Sequence, residues 1–332
     1  MTSDKPASGE DSLIARYFKR IATDPGAFNL DDDAAALKAL DDDIVVTTDA
    51  IVEGVHYLPN DPPDTVARKA LRVNLSDLAA KGAAPAGFVL TLALRAVDDS
   101  WLKPFAQALG EDAVLFNCPL LGGDTVSTPG PLMISITAFG RVPASKMVHR
   151  SGAKPGDRLV VTGTIGDAAL GLILRRERAA VARWGLTQDQ QDHLMRRYLV
   201  PEPRIPIAEA LRAHASAAMD VSDGLAGDLA KLCRVSGVAA DIEVVRVPLS
   251  DAARAALAKE PALIETIVAG GDDYEVLACV PPDKLEALRR QATAAGVAIT
   301  DIGTVAAGHG QARFVDARGQ PLALAHPSFS HF

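Results

Sequence analysis

Residues 69–85 read KALRVNLSDLAAKGAAP. Across residues 65–80 the apolar side chains fall at Val66, Ala70, Val73, Leu75, Leu78 and Ala79, the spacing of an amphipathic helix. Asn74 and Asp77 stand three apart and share a helix face. A carboxylate set among Leu75, Leu78 and Ala79 is expected to be partly buried, and such a group needs a partner.

Outward from this helix the patterns alternate. Residues 12–21 read as a short amphipathic helix with Leu13, Ile14, Tyr17, Phe18 and Ile21 on one face. Residues 1–10 read as a flexible tail. The apolar stretches 34–40 and 44–51 flank Asp41-Asp42-Asp43 and suggest two strands joined by a solvated turn. Strands are expected at 87–96 and 132–142, with a helix at 101–112. The run SGAKPGD at 151–157 is rich in turn formers and marks a boundary. Beyond it the chain predicts strand 159–162, a helix from about 167, strand 217–221, helix 225–235, strand 239–245, helix 261–269, strand 274–280, helix 282–295 and strand 298–303. Alternating helices and strands of this kind give an α/β (α+β) fold. The length of 332 residues suits two domains, 1–149 and 150–332.

Composition narrows the function. The chain carries 34 Lys+Arg against 42 Asp+Glu, a formal charge of −8. That balance does not favour a nucleic-acid partner. No apolar run of membrane-spanning length is present and the first residues are polar, so a cytoplasmic protein without a membrane partner is expected. Cys118, Cys233 and Cys279 form no CxxC pair and read as small buried hydrophobes. His149, His193, His214, His309 and His326 read as surface residues.

The aspartates are informative because several sit at the ends of apolar segments beside Gly, Ser or Thr. They occur in Asp31-Asp32-Asp33, Thr47-Thr48-Asp49, Asn74-Leu75-Ser76-Asp77, Gly122-Gly123-Asp124-Thr125, Asp220-Val221-Ser222-Asp223-Gly224 and Gly270-Gly271-Asp272-Asp273. Each alone has a plain structural reading as a helix cap or a solvated turn. If they converge, two carboxylates 4 Å apart repel by roughly 4 kcal/mol at an effective dielectric near 20. Several such pairs would exceed the ~5–15 kcal/mol stability of a typical domain. Convergence therefore requires bound metal or protonation, and oxygen-only ligands suit Mg²⁺. Mg²⁺ bridges phosphates, so the residues point to phosphoryl transfer. No Walker A loop, protein-kinase motif set, zinc-protease motif, nucleophile elbow or dinucleotide fingerprint occurs.

With these residues in view the chain resembles the thiamine-monophosphate kinases of the aminoimidazole-ribonucleotide synthetase-like superfamily. The resemblance is carried by VVTTDAIVEGVHYL (45–58), KALRVNLSDLAAKGAAP (69–85), LLGGDT (120–125), RSGAKPGD (150–157), VTGTIGDAALGL (161–172), MDVSDGL (219–225) and GGDDYEVL (270–277), and by the closing His331-Phe332. It implies a two-domain fold and a homodimer in which the N-terminal domains form a barrel-like sheet. It further implies several Mg²⁺ ions, ATP as phosphoryl donor, thiamine monophosphate as acceptor, and direct transfer without a phosphoenzyme. Carried over by position, the metal ligands are Asp33, Thr47, Thr48, Asp49, Asp77, Asp124, Asp220 and Asp223, with Asp49, Asp77 and Asp124 closest to the chemistry. Gly123, Asp124, Arg150 and Ser222 fall to ATP. His56, Asp272 and Phe329 fall to thiamine monophosphate.

Two positions depart from the family pattern. Asp31 replaces a usual glycine, and Asp272 replaces a usual glutamate, one methylene longer. Rival readings are ring closure in purine synthesis, selenophosphate formation, a non-catalytic paralogue, and an Mg²⁺-dependent phosphatase. The absence of cysteine before Cys118 weighs against selenophosphate formation, and EGVHYL with the His-Phe end weighs against ring closure.

Overall fold

The computed structural model describes residues 12–30, 35, 37, 40–308, 310, 312–316, 318–322 and 324. The chain divides into two compact units. One runs to Leu75 and resumes over Pro85–Ala144; the other takes Ser76–Ala84 and continues from Ser145.

The first unit holds a four-stranded sheet of β1 (Asp42–Val52), β2 (Ala84–Leu94), β3 (Leu120–Ser127) and β4 (Met133–Pro143), in the order β1-β4-β2-β3. β1 pairs antiparallel with β4, with Thr48 opposite Thr137, while β2 and β3 run parallel, with Asp124 opposite Thr91. Alternation along β4 buries Ile134, Ile136, Ala138 and Val142, the sign of one covered face. Helix α1 (Pro63–Ala80) buries Val66, Ala70, Val73 and Leu75, and helix α2 (Asp99–Leu115) buries Leu102, Phe105 and Leu109. One turn apart on α1, Arg68 and Arg72 both bond the fully buried Asp112 of α2 at 2.5 Å. Removing either partner would strand a charge away from water.

The second unit is a six-stranded sheet of β5 (Arg158–Thr162), β6 (Ala217–Val221), β7 (Val238–Glu243), β8 (Glu275–Val280), β9 (Ile299–Ala307) and β10 (Ala312–Val315), ordered β10-β7-β9-β5-β8-β6. Only the β10–β7 pair is parallel. Helices cover both faces. Leu159, Val161, Met219 and Leu277 share one core with α3 (Asp167–Arg176), α4 (Ala179–Trp184), α5 (Gln188–Leu199), α7 (Leu225–Ser236), α8 (Asp251–Lys259) and α9 (Leu263–Ala269). Val160, Ala218, Val276 and Ala278 share another with α6 (Ala208–His214) and α10 (Leu285–Ala294). Double coverage explains why all six residues of β8 are buried and read as a continuous apolar run.

Several expectations change. Residues 35, 37 and 40 lie outside any strand, and Asp42 and Asp43 belong to β1 itself. GGDT is part of strand β3, because β2 supplies a ladder for it. Residues 244–246 leave the sheet as a 3₁₀ turn. Helices α4, α5, α6 and α8 were not expected; their small-residue and charged faces blur the periodicity. His193 and His214 are not free surface residues, for His193 Nε2 lies 2.9 Å from the buried Asp167 and His214 is half-buried. Residues 1–10, His309 and His326 lie outside the described residues. Cys118, Cys233 and Cys279 are all buried free thiols. Burial pushes Cys118 up to about 12 and Cys233 up to about 11, and raises Cys279 as well. No helix among the described residues is long and apolar enough to cross a membrane.

Candidate active site

In the first unit, β1 carries Thr47, Thr48 and Asp49. Successive strand residues point to opposite faces, so Thr47 and Asp49 share a face with buried Val45 and Ile51, and Thr48 does not. The Thr48 hydroxyl donates to the Ile136 carbonyl at 3.2 Å and accepts from Thr137 at 3.0 Å. Asn74 of α1 explains the NLSD run. It is fully buried, accepts the Asp49 N–H at 3.1 Å and donates to the Ala70 carbonyl at 3.0 Å. The Asp49 carboxylate is thereby left exposed on a backbone tied to the helix.

Gly123 and Asp124 are exposed on β3. A Cβ at Gly123 would collide with the Leu90 carbonyl of β2, so glycine is required for the ladder to close. The segment lines a cavity of about 410 Å³ whose other walls include Ile14, Phe18, Leu30 and Leu120. An apolar hollow ending in glycines and a carboxylate suits a flat ring carrying a metal-bound polyphosphate. Among the described residues β1 and β3 form the two edges of this sheet. Three strand spacings separate Asp49 from Asp124, roughly 14 Å, so the sheet does not bring them side by side.

His56 follows β1 in a turn in which its N–H donates to the Val52 carbonyl at 2.9 Å and its Nδ1 accepts the Val52 N–H at 3.0 Å. Tyr57 beside it is buried and caps the Leu132 carbonyl at 3.3 Å.

In the second unit the structure joins two motifs. The Asp272 N–H donates to the Ser222 carbonyl and the Tyr274 N–H to the Val221 carbonyl, both at 2.8 Å. A Cβ on Gly271 would lie 2.6 Å from the Ser222 carbonyl oxygen, so this approach needs glycine. Asp272 and Tyr274 hold left-handed backbone, φ +73° and +51°, and the Tyr274 hydroxyl donates to Asp272 at 3.3 Å. Buried charge fixes the loop from below. Glu275 is fully buried and accepts from Thr162 at 2.6 Å, Arg197 at 2.8 Å and Arg204 at 2.6 Å, while Asp273 accepts the Gly166 N–H at 2.8 Å. Burial pushes the Asp273 carboxyl well above the usual carboxylate range.

Asp223 does not cap α7. Its N–H donates to Asp228 at 2.9 Å, and its carboxylate is paired with Lys231, which also bonds Asp228 at 2.8 Å. Asp220 is buried at the end of β6. Lys81, just past α1, donates from Nζ to the Ala218 carbonyl at 2.8 Å and feels the charges of Asp220, Arg150 and Asp77. Its own N–H donates to the Asp77 carbonyl at 3.0 Å. Burial pulls the Lys81 ammonium below its ordinary value, with Asp220 opposing. Lys81, Asp77, Asp220 and Arg150 thus form one electrostatic group, with Asp77 half-buried and Arg150 exposed. Asp33 and Phe329 lie outside the described residues.

Sequence reasoning overlooked Lys69, Lys81, Lys231 and the Arg197–Glu275 pair. A lysine on an apolar helix stripe was the available signal for Lys69, which follows Val66 by three and precedes Val73 by four.

No three His, Cys, Asp or Glu side chains among the described residues form a ready cage for a metal. Mg²⁺ does not need one, because it is commonly held by one or two carboxylates with water and substrate phosphates completing six oxygens. The exposed carboxylates of Asp49 and Asp124, and the half-buried one of Asp77, fit that chemistry.

This architecture and these motifs define an AIR synthase related protein. The family's N-terminal domain matches residues 31–142 and its C-terminal domain residues 154–316. The thiamine-monophosphate kinase of Caulobacter vibrioides is 44% identical over 311 residues, covering 92% of this chain and 86% of that protein. The chain belongs to the thiamine-monophosphate kinase family. The crystal structure of thiamine-monophosphate kinase from Stenotrophomonas maltophilia K279a superposes with a TM-score of 0.80 at 35% identity, covering 88% of this chain and 91% of that one. AaThiL complexed with AMPPCP and TMP superposes with a TM-score of 0.76 at 29% identity, covering 91% of each chain.

Proposed function

We propose that this protein transfers the γ-phosphoryl group of ATP to the phosphate of thiamine monophosphate, giving ADP and thiamine diphosphate. The observation that carries the reading is family membership over nearly the whole chain, with a relative bound to AMPPCP and TMP. The acceptor phosphate is already anionic near neutral pH, so no strong general base is needed. The protein's work is to position two polyanions and neutralise them.

The N-terminal part, to residue 149, takes the nucleotide, its ring in the cavity beside Phe18 and its phosphates near Gly123 and Asp124. Arg150 and Ser222 donate to ATP oxygens. His56, Asp272 and Phe329 orient thiamine monophosphate. Asp33, Thr47, Thr48, Asp49, Asp77, Asp124, Asp220 and Asp223 would hold Mg²⁺. Bound Mg²⁺ supplies charge neutralisation across the ATP phosphates. Lys231 pairs with Asp223 and would be displaced by a bound metal ion.

A homodimer belongs to the same reading. On the face of β1 that carries Thr48, Ile44 is 45% and Val46 57% exposed, beside half-buried Phe139 and Met133 of β4. An exposed apolar sheet face of this kind suits closure against a second copy.

Incubation of the purified protein with ATP, Mg²⁺ and thiamine monophosphate, with free thiamine in parallel, tests the activity. Thiamine diphosphate should form from the monophosphate alone. Release of inorganic phosphate without diphosphate product would instead make the protein a phosphatase. Light scattering of the purified chain should give twice the monomer mass.

A further inference from the structure

Lys69 is 2% exposed, and lysines so deeply buried are almost always paired. Its Nζ donates to the main-chain carbonyl of His56 at 2.9 Å. The His56 ring is held from the other side, where the Val52 N–H donates to Nδ1 at 3.0 Å. A main-chain N–H is only a donor, so Nδ1 is the acceptor and the ring proton resides on Nε2. The turn is further constrained by the Gly54 N–H bonded to the Tyr57 carbonyl at 2.8 Å and by the Val55 and His56 N–H groups bonded to the Val52 carbonyl at 3.1 and 2.9 Å.

We propose that Lys69 is a positioning residue for the acceptor substrate. Its ammonium fixes the His56 main chain, and with Val52 it presents His56 as an Nε2–H donor toward an anionic oxygen of the phosphate monoester. The inference rests on the reading of His56 as an acceptor-binding residue. A lysine so buried would be expensive as mere packing, whereas methionine fills a similar volume without an ammonium to satisfy. What methionine cannot supply is the charge-assisted bond that holds the turn.

The test is steady-state kinetics on the full-length protein carrying Lys69→Met, His56→Ala, or both. Lys69→Met should raise KM for thiamine monophosphate on the order of tenfold, with KM for ATP and kcat within about twofold, a split that loss of packing alone would not give. In the His56→Ala background the added Lys69→Met should have little further effect, since both act through one contact. Fully multiplicative effects, or an effect of His56→Ala with none of Lys69→Met, would overturn the proposal while leaving His56 in the site. No effect of His56→Ala would remove His56 from the acceptor site, and this inference with it. Should Lys69→Met fail to fold, ¹⁵N resonances of the unmodified protein decide. The His56 ring should be neutral with its proton on Nε2, and that nitrogen should shift on adding thiamine monophosphate; a proton on Nδ1 would refute the assignment.

Discussion

Asp272 and Ser222 are joined through their main chains, the Asp272 N–H donating to the Ser222 carbonyl at 2.8 Å. The bond sets a residue assigned to the acceptor next to one assigned to the donor nucleotide, yet it uses main-chain atoms only, so neither side chain is needed for it. Their substitutions should therefore separate. Ser222→Ala is expected to raise KM for ATP several-fold and leave KM for thiamine monophosphate unchanged. Asp272→Asn tolerates the left-handed backbone, so stability should change by less than about 0.5 kcal/mol, while KM for thiamine monophosphate rises. Initial-rate measurements with each substrate varied in turn check both.

Asp49 and Asp124 are exposed, and the bond to Asn74 uses only the Asp49 main chain. Asp49→Asn and Asp124→Asn should therefore keep the fold and its circular-dichroism spectrum. Each should lower kcat on the order of 10²–10³-fold at saturating Mg²⁺, the scale of losing one preorganised electrostatic contact. Near-normal turnover in both would take them out of the mechanism.

Lys81→Met removes the bond to the Ala218 carbonyl and the only lysine charge in the Asp77–Asp220–Arg150 group. The urea midpoint should fall by the equivalent of about 1–3 kcal/mol, with an unchanged m-value. An unchanged midpoint would mean that water replaces the ammonium at no cost.

Asp167 predicts the acid limb of stability. Burial opposes its charge, but hydrogen bonds from His193, Ser250 and Thr164 outweigh it and hold the carboxyl below its ordinary range. A depressed carboxylate stabilises the fold fully above its unfolded value, about 3.9. That contribution is lost as pH falls through the lower, folded value. Asp167→Asn should destabilise the protein at pH 7 and flatten the pH dependence of its urea midpoint below pH 4.

Much of this was legible in the primary structure. Strand β6 was read at its observed limits from its largely apolar run, and α1, β2, β4 and α7 within a few residues from the spacing of their apolar positions. The acidic motifs stood out because Asp beside Gly or Thr at the end of an apolar run is hard to explain by packing alone. The role of Asn74 was not legible: sharing a helix face with Asp77 says nothing of a bond to Asp49. Nor was the face that Thr48 takes, which is fixed by the pairing of β1 with β4. The network beneath Asp272 escaped for the same reason, since Arg197, Arg204, Thr162 and Glu275 meet only in three dimensions.

The interior position of Cys118, Cys233 and Cys279 gives the folded chain no reactive sulfur at neutral pH. Maleimide uptake by the unmodified protein should then report transient opening rather than surface chemistry, one thiol in the first unit and two in the second. A cysteine engineered onto an outer loop could carry a dye alone, with the native three left in place.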